Sequence, residues 1–509
     1  MGEFARAQYE VDDKPREACG VFGIRLHEGG RDVAEATYLA LVAEQHRGQD
    51  GAGIGVLEPD GTITVIKDVG LVDEVFYGEH KLAGFSEQSR TALGHVRYST
   101  MNTIDPFEAT QPGYGRHFAM SHNGHIVNYD EIVRSEGAEP KDYPTDSHFM
   151  LARAERAYRS ISAEARAAGL LENDSDFSRI RIEALKTAVH DLVGAYSLVV
   201  MTQHELIGMR DPNGFRPLLL GEIPGEGWVL ASEVGALSMN GAALIQDVPP
   251  GQMVIIDDSG PRFEQIVEPE KVSQQMCIFE PTYFSREDNV VEGKRVQLSR
   301  ENMGRELAKL DEVLIDDLVA KYGKDQVVVV GVPQSGLAAA DGYSWESHLR
   351  RVNALVKNTY IGRSFIELSP KARALAIRLK LNPIPEHING NVLVVVDDSI
   401  IRGSVTRDLA QMLYELGAVE VHLRSTADTY VNPCVYGMDT ADETLLLARN
   451  NAHEQMVQKI GVTSLRFLGY RAMARACGEQ EGHSIFCTAC MSGNYPTHVP
   501  IDFPKIIRR

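Results

Sequence analysis

Residues 391–406 read NVLVVVDDSIIRGSVT. Five consecutive apolar residues, Val392 to Val396, mark a strand buried on both faces, as in parallel sheets. They run into two adjacent carboxylates, Asp397 and Asp398. A loop of small and hydroxyl residues follows, and a helical pattern opens near Val405 and continues through Leu416. In an open α/β sheet, ligands lie beyond the carboxyl ends of the strands. A loop that opens a helix there offers backbone N–H groups and a favourable dipole to a phosphate. Paired acids beside it suit ribose hydroxyls, a Mg2+ ion or both, because hard cations take oxygen ligands. An ordinary strand–turn–helix with solvated acids is the competing reading.

The same rhythm extends to either side. Gln326–Val332 (QVVVVGV) reads as another buried strand, ending in PQSGLAAADG, a loop that leads into a helix. Val419–Arg424 reads as a third. Strands alternating with helices predict a parallel sheet with helices on its faces. One local charge reversal stands out in a chain whose formal net charge is −20. From Arg350 to Lys380 there are eight Lys/Arg and a single Glu. A solvated basic helix face would account for it. A basic lid closing over a diphosphate would too, excluding water and placing charge around a leaving group.

The first half has a different pattern. GVFGIRL, GAGIGVLE, TITVIKD, GAYSLVVMT and WVLASEV alternate over short stretches, which predicts mainly antiparallel sheets. Helical patterns near Val33–Glu44, Thr145–Tyr158 and Ile180–Leu192 would cover them. The expected architecture is therefore an α+β domain followed by an α/β domain, with a boundary between Pro261 and Cys277.

Bulk properties narrow the function classes. A chain of 509 residues exceeds one core, so two or three domains are expected. No apolar run approaches the length of a membrane span, and MGEFARAQYEVDDKPREA has no apolar core of a secretory signal. Strong net acidity argues against general nucleic-acid binding. Six cysteines in so long a chain are no disulfide scaffold, and a cytosolic protein would use them for chemistry or metal. Cys487 and Cys490 form a CTAC pair, with Cys277, Cys434 and Cys477 elsewhere; spacing leaves redox, zinc and iron–sulfur roles open.

DDSIIRGSVT and PQSG together resemble the ribose-diphosphate and pyrophosphate loops of type I phosphoribosyltransferases, which more often read PDSG at the second. HRGQDGAG (46–53), GHVRYST (94–100), SHNGHIVN (121–128) and TDSH (145–148), preceded by Cys19 in ACGVFGI, resemble the class II glutamine amidotransferases. The pair of domains, with RDPNGFRPL (210–218) and KNTYIGRSFI, resembles the glutamine phosphoribosyldiphosphate amidotransferases, which open purine synthesis. Asn213 stands where that family usually has Tyr, and Thr359 where it commonly has Arg. The expected fold is an αββα N-terminal-nucleophile glutaminase followed by a mainly parallel phosphoribosyltransferase domain.

That resemblance implies a role for each residue. Cys19 would be the nucleophile, with its own α-amine as base and with Asn123 and Gly124 stabilising the oxyanion. Arg97 would clamp the glutamine α-carboxylate and Asp146 its α-ammonium; His95 and His122 are read as core histidines. The α-amine of Cys19 exists only if residues 1–18 are removed as a propeptide. Ser335, Gly336, Lys357, Asp397, Asp398, Ser399, Arg402, Gly403, Ser404 and Thr406 would hold phosphoribosyl diphosphate, with Ser335, Asp397 and Asp398 at Mg2+. The resemblance assigns Cys277, Cys434, Cys487 and Cys490 to a 4Fe–4S cluster and leaves Cys477 as a buried thiol. It also implies a cytoplasmic homotetramer with purine nucleotides as inhibitors. The expected divisions are 1–18, 19–265, 266–470 and 471–509. A salvage phosphoribosyltransferase would have no use for Cys19, Arg97, Asn123 and Asp146. A ligand-sensing regulator would carry a basic DNA-binding segment that this chain lacks.

Overall fold

The computed structural model describes residues 19–76, 82–98, 105–171, 173–358, 381–438, 443–480 and 482–500. In the N-terminal half, alternation along each strand feeds two different cores, and this stacks the sheets. Along Gly20–Leu26, Phe22, Ile24 and Leu26 face the helices Val33–Ala43 and Val234–Met239, whereas Val21 faces a second sheet. Along Gly194–Met201, Tyr196, Leu198 and Val200 turn toward the helices Asp146–Ala167 and Asp174–Val189, and Val199 and Met201 toward the first sheet. The outcome is four layers, helices on two antiparallel sheets on helices.

The first sheet runs in the order Ala243–Asp247, Leu219–Ile223, Gly227–Ala231, Gly20–Leu26, Thr91–Arg97, Gly51–Leu57, Ile63–Val69. The second runs Gly260–Gln265, Gln252–Asp257, Leu206–Arg210, Gly194–Met201, Ala119–Ile126, Gly113–Tyr114. Thr145 caps Asp146–Ala167 through the His148 N–H, which fixes Asp146 as the first helical residue, where a carboxylate favours the dipole.

The second half is built on a five-stranded parallel sheet: Arg350–Val352, Val327–Gly331, Val392–Asp397, Glu420–Ser425, Ser464–Phe467. Its apolar runs are continuous because both faces are covered. Val392, Val394 and Val396 join a core with helices Val296–Leu310 and Gly336–Ser347, and Leu393 and Val395 join one with Ser404–Glu415 and His453–Ile460. The start of the basic stretch is not lid but framework. Arg350–Val352 is the edge strand of this sheet, where charge guards against edge-to-edge pairing, and Leu355–Lys357 pairs with Leu381–Pro383. Residues 359–380 of the expected lid, Thr359 among them, and the expected propeptide lie outside the described residues. Among the described residues, no helix is long and apolar enough to cross a membrane.

The halves meet on buried charge. Arg47 donates to Glu233 at 2.6 Å and, from its other nitrogen, to both Glu280 oxygens at 2.9 and 3.0 Å. Arg216 reaches the same Glu280 at 3.4 Å, and Ser285 Oγ donates to it at 3.1 Å. The Arg47 and Glu280 side chains are both fully excluded from solvent. Breaking a buried pair leaves an uncompensated charge, at a cost of about 3–5 kcal/mol. Glu280→Gln should lower stability by about that amount, read as a fall in the urea midpoint; an unchanged midpoint would refute the role.

Candidate active site

Two loops leave the parallel sheet side by side, because Gly331 pairs with Val396 and Val332 N–H donates to the Val396 carbonyl at 2.9 Å. They lock through side chains. Ser335 Oγ, from PQSG, donates to one Asp398 carboxylate oxygen, and Ser399 Oγ donates to the other at 2.6 Å. Asp398 N–H donates to the Asp397 carboxylate at 2.9 Å, while Thr426 Oγ1 and Ala427 N–H hold the Asp398 carbonyl. Asp397, Asp398, Ser335, Ser399 and Thr406 are buried. Gly336 opens the helix Gly336–Ser347, and Gly403 precedes Ser404–Glu415, so two helix N-termini adjoin the acids. Arg402 is half-buried in the loop between, and Lys357 is exposed at the end of its short strand. Five oxygen-bearing side chains beside two helix starts suit a phosphate-bearing sugar and a hard cation.

The second group gathers in the N-terminal half. Gly20 pairs with Val96 across adjacent strands, so Cys19 enters the sheet beside Arg97. Burial lowers the pKa of the Arg97 guanidinium, and the neighbouring Cys19 and Asp50 draw it back up. Asn123 and Gly124 lie in Ala119–Ile126, opposite Ser197 and Tyr196. Asn123 is wholly buried, and neither of its amide atoms has a partner among the described residues. Gly124 takes φ +147°, a conformation that glycine tolerates and side-chain-bearing residues do not.

Asp146 accepts from the Ile126 N–H at 3.0 Å, with His122 Nδ1 at 3.7 Å and His125 Nδ1 at 3.8 Å. Burial pushes its carboxyl up, but the two histidines and the Ile126 N–H hold it well below the carboxylate range. It is therefore an anion at neutral pH. His122 is fixed by Ser147 Oγ at 3.0 Å and the Ala195 carbonyl at 3.2 Å; His95 is buried beneath it and pushed down to about 3 by burial.

A third cluster lies between the halves. Cys277, Cys434, Cys487 and Cys490 line one small cavity with Phe215, Arg216, Tyr436 and Tyr495, of about 20 Å3. Cys277 and Cys487 are register partners in a short parallel pair. Burial pushes the Cys487 thiol up to about 12, and Cys277 and Cys490 well above the usual thiol range. Such thiols ionise only against a strong positive charge, such as a bound metal. Among the described residues no three His, Cys, Asp or Glu side chains meet closely enough to hold one ion. Cys477 is buried elsewhere, its thiol pushed up to about 12 by burial.

Residues 95–239 match a family described as glutamine amidotransferase domain. The chain is 37% identical to the amidophosphoribosyltransferase of Synechocystis sp., over 96% of this chain and 92% of that one. It is 38% identical to that of Mycobacterium tuberculosis, over 96% and 88%. The chain belongs to the amidophosphoribosyltransferase family. Its structure also superposes on the B. subtilis glutamine phosphoribosylpyrophosphate amidotransferase complexed with ADP and GMP, with TM-score 0.80, 32% identity and coverage of 96% of this chain and 100% of that one. The reaction of amidophosphoribosyltransferases is the first committed step of purine synthesis, with glutamine as the nitrogen source.

One residue beside Cys19 escaped the sequence reading. Glu44 ends an apolar helical run, where an acid reads as a solvated terminus, yet it is wholly buried. One oxygen accepts from the Glu233 N–H at 3.0 Å; the other has no partner among the described residues and lies 2.7 Å from where a Cβ on Gly20 would stand. Burial pushes the Glu44 carboxyl up to about 8, with Arg47 drawing it down and Glu233 pushing it up. From the ordinary value of 4.5 to about 8, the folded protein keeps a proton that the unfolded chain has lost. This contribution to stability is thus full below the ordinary value and lost as pH rises through the folded one. Relative to Glu44→Gln, the native protein should lose up to roughly 1.4 kcal/mol per pH unit across that window. Parallel pH profiles of urea stability for the two proteins would contradict this.

Proposed function

We propose that the two clusters run the two half-reactions of an amidophosphoribosyltransferase, with residues assigned as follows. Arg97 clamps the α-carboxylate of glutamine and the anionic Asp146 its α-ammonium. Removal of residues 1–18 frees the α-amine of Cys19, whose reference pKa of about 7.7–8.0 suits a base near neutrality. That amine takes the thiol proton, and the thiolate attacks the side-chain amide carbon. Asn123 Nδ2 and the Gly124 N–H receive the developing oxyanion. Ammonia leaves with a proton, and water resolves the thioester to glutamate. The observation that carries this assignment is Asn123, since burying both its amide atoms unpaired is costly unless a reacting group meets them.

At the second cluster, ammonia displaces pyrophosphate from C1 of 5-phosphoribosyl 1-diphosphate to give 5-phosphoribosylamine. Asp397 and Asp398 hold ribose hydroxyls, Ser399–Thr406 cradle the 5-phosphate, and Ser335, Gly336 and Lys357 serve the diphosphate. The oxygen donors of Asp397, Asp398 and Ser335 fit Mg2+, whose remaining ligands come from substrate and water. When bound, the ion offsets diphosphate charge. The four cavity thiols fit a 4Fe–4S group: the donors are all cysteines, they line one cavity rather than meet at a point, and burial pushes Cys277, Cys487 and Cys490 up so that metal charge would be needed to ionise them. Such a group would be structural. All six cysteines are thiols rather than disulfides, which supports a cytoplasmic setting. The ADP- and GMP-bound state of the B. subtilis relative supports purine nucleotides as inhibitors here. Assembly as a homotetramer completes the proposal.

Cys19→Ala should abolish glutamine-dependent synthesis while leaving ammonia-dependent synthesis intact, and Asn123→Ala should cut glutamine turnover by about 10²–10³. Mass spectrometry of active enzyme should find Cys19 at the N-terminus; an intact Met1 would sink the base assignment. Glutamate release should rise when phosphoribosyl diphosphate is added, and indifference to it would remove the coupling of the sites.

A further inference from the structure

Gly124 is enclosed on two sides. On one side, a Cβ there would lie 2.1 Å from the Ala195 carbonyl oxygen and 2.9 Å from His122 Nε2. On the other stands Gly437, from the phosphoribosyltransferase half. A Cβ built on Gly437 would lie 3.3 Å from the Gly124 carbonyl carbon, 3.5 Å from its oxygen and 3.4 Å from Arg216 Nη2. Gly437 itself takes φ +106°, so the loop brings bare backbone against bare backbone.

The loop is anchored to the N-terminal half just beside this contact. Arg216 Nη2 donates to the Tyr436 carbonyl at 3.1 Å, and the Tyr436 ring stacks on Phe215 with centroids 4.0 Å apart and planes at 17°. Val435 and Tyr436 pack with Val127 and Ala195, the latter being the residue whose carbonyl bounds Gly124 on its other side. Tyr436 Oη and Thr497 Oγ1 share a hydrogen bond at 2.9 Å.

A glycine is needed at position 124 for its dihedral angle, but a glycine has no side chain with which to lock itself. An oxyanion donor works only when it is already in place, because reorganisation at the moment of reaction removes its advantage. Small misplacements in such sites are costly. Strand pairing holds this segment along one edge, and the Gly437 loop stands beside its carbonyl, where a Cβ on Gly437 would fall 3.3–3.5 Å away.

We propose that Gly437 is a positioning residue for glutamine hydrolysis, a backbone wall from the phosphoribosyltransferase half that holds Gly124 at its oxyanion-binding position. The inference rests on the assignment of Asn123 and Gly124 to the oxyanion. It makes the glutaminase site incomplete without the other half, through a contact independent of either substrate.

The test uses the matured full-length enzyme and two variants. Gly437→Ala adds a methyl 3.3 Å from the Gly124 carbonyl carbon, so that Gly124 or the loop must shift by a few tenths of an ångström, and it strains a positive φ. Val435→Ala loosens the loop by trimming its packing against Val127 and Ala195, without adding a Cβ at a positive φ. In both, kcat for glutamine hydrolysis should fall about tenfold or more, toward the 10²–10³ of losing a donor, with KM for glutamine unchanged and ammonia-dependent synthesis retained. A purely structural contact predicts instead that both syntheses and the thermal midpoint fall together, and that result would overturn the proposal. So would unchanged glutamine kcat. Asn123→Ala separates the two levels of the argument: if it is crippled while Gly437→Ala is not, only the wall is wrong. If Asn123→Ala hydrolyses glutamine normally, the oxyanion assignment fails and the wall with it.

Discussion

Glu280 is the fixed point of the molecule. It comes from the second half, is sealed from water, and satisfies Arg47 from the turn after Val33–Ala43 and Arg216 from the loop after Leu206–Arg210. Arg47 also holds Glu233, whose carboxyl is pushed up by burial but drawn down to about 2 by His46 and Arg47. None of these charges could be buried at tolerable cost alone. They are buried only because the two halves dock, so the docked state is a condition of each half's interior rather than an addition to it. Two sequence motifs thereby acquire a shared purpose, since Arg47 lies in HRGQDGAG and Arg216 in RDPNGFRPL.

Much of the architecture could be read from periodicity, because a strand's side chains must serve whatever lies on each face. Val392–Val396 was legible as doubly covered, and Asp397 and Asp398 as the acids that end the strand and open the next loop. The same rule separated the antiparallel first half from the parallel second. It failed where local pattern is ambiguous. Arg350–Val352 reads as basic surface and is an edge strand, while Glu44 reads as a helix terminus and is interior. The approach of Gly437 to Gly124 was beyond any local signal, since two glycines far apart in sequence carry no mark of proximity. Cysteine spacing likewise left iron and zinc open; only the cavity shared by Cys277, Cys434, Cys487 and Cys490 shows that four distant thiols converge.

The two clusters differ in how their residues are held. Arg97, Asn123 and Gly124 sit within strands, and Asp146 begins a 22-residue helix, so the first cluster is carried by rigid elements. The second cluster sits on loops that tie to each other, Ser335 to Asp398 and Asp398 to Ser399. Loop-borne sites on a rigid sheet can adapt around a ligand of several charged groups. The former arrangement favours accurate placement of a few donors around one carbon.

The short parallel pairing of Met276–Cys277 with Phe486–Cys487 joins the segment between the halves to one of the last described stretches of the chain. During synthesis, the N-terminal half can leave the ribosome and fold early, as domains do. Its link to the second half, however, has no partner strand until residue 487 has been made. The seam is thus completed only after residue 487 has been made, and the cysteine cavity closes only then. A chain stopped short of that point would present an unpaired strand and exposed thiols together, a combined signature by which quality control can tell an unfinished molecule from a finished one.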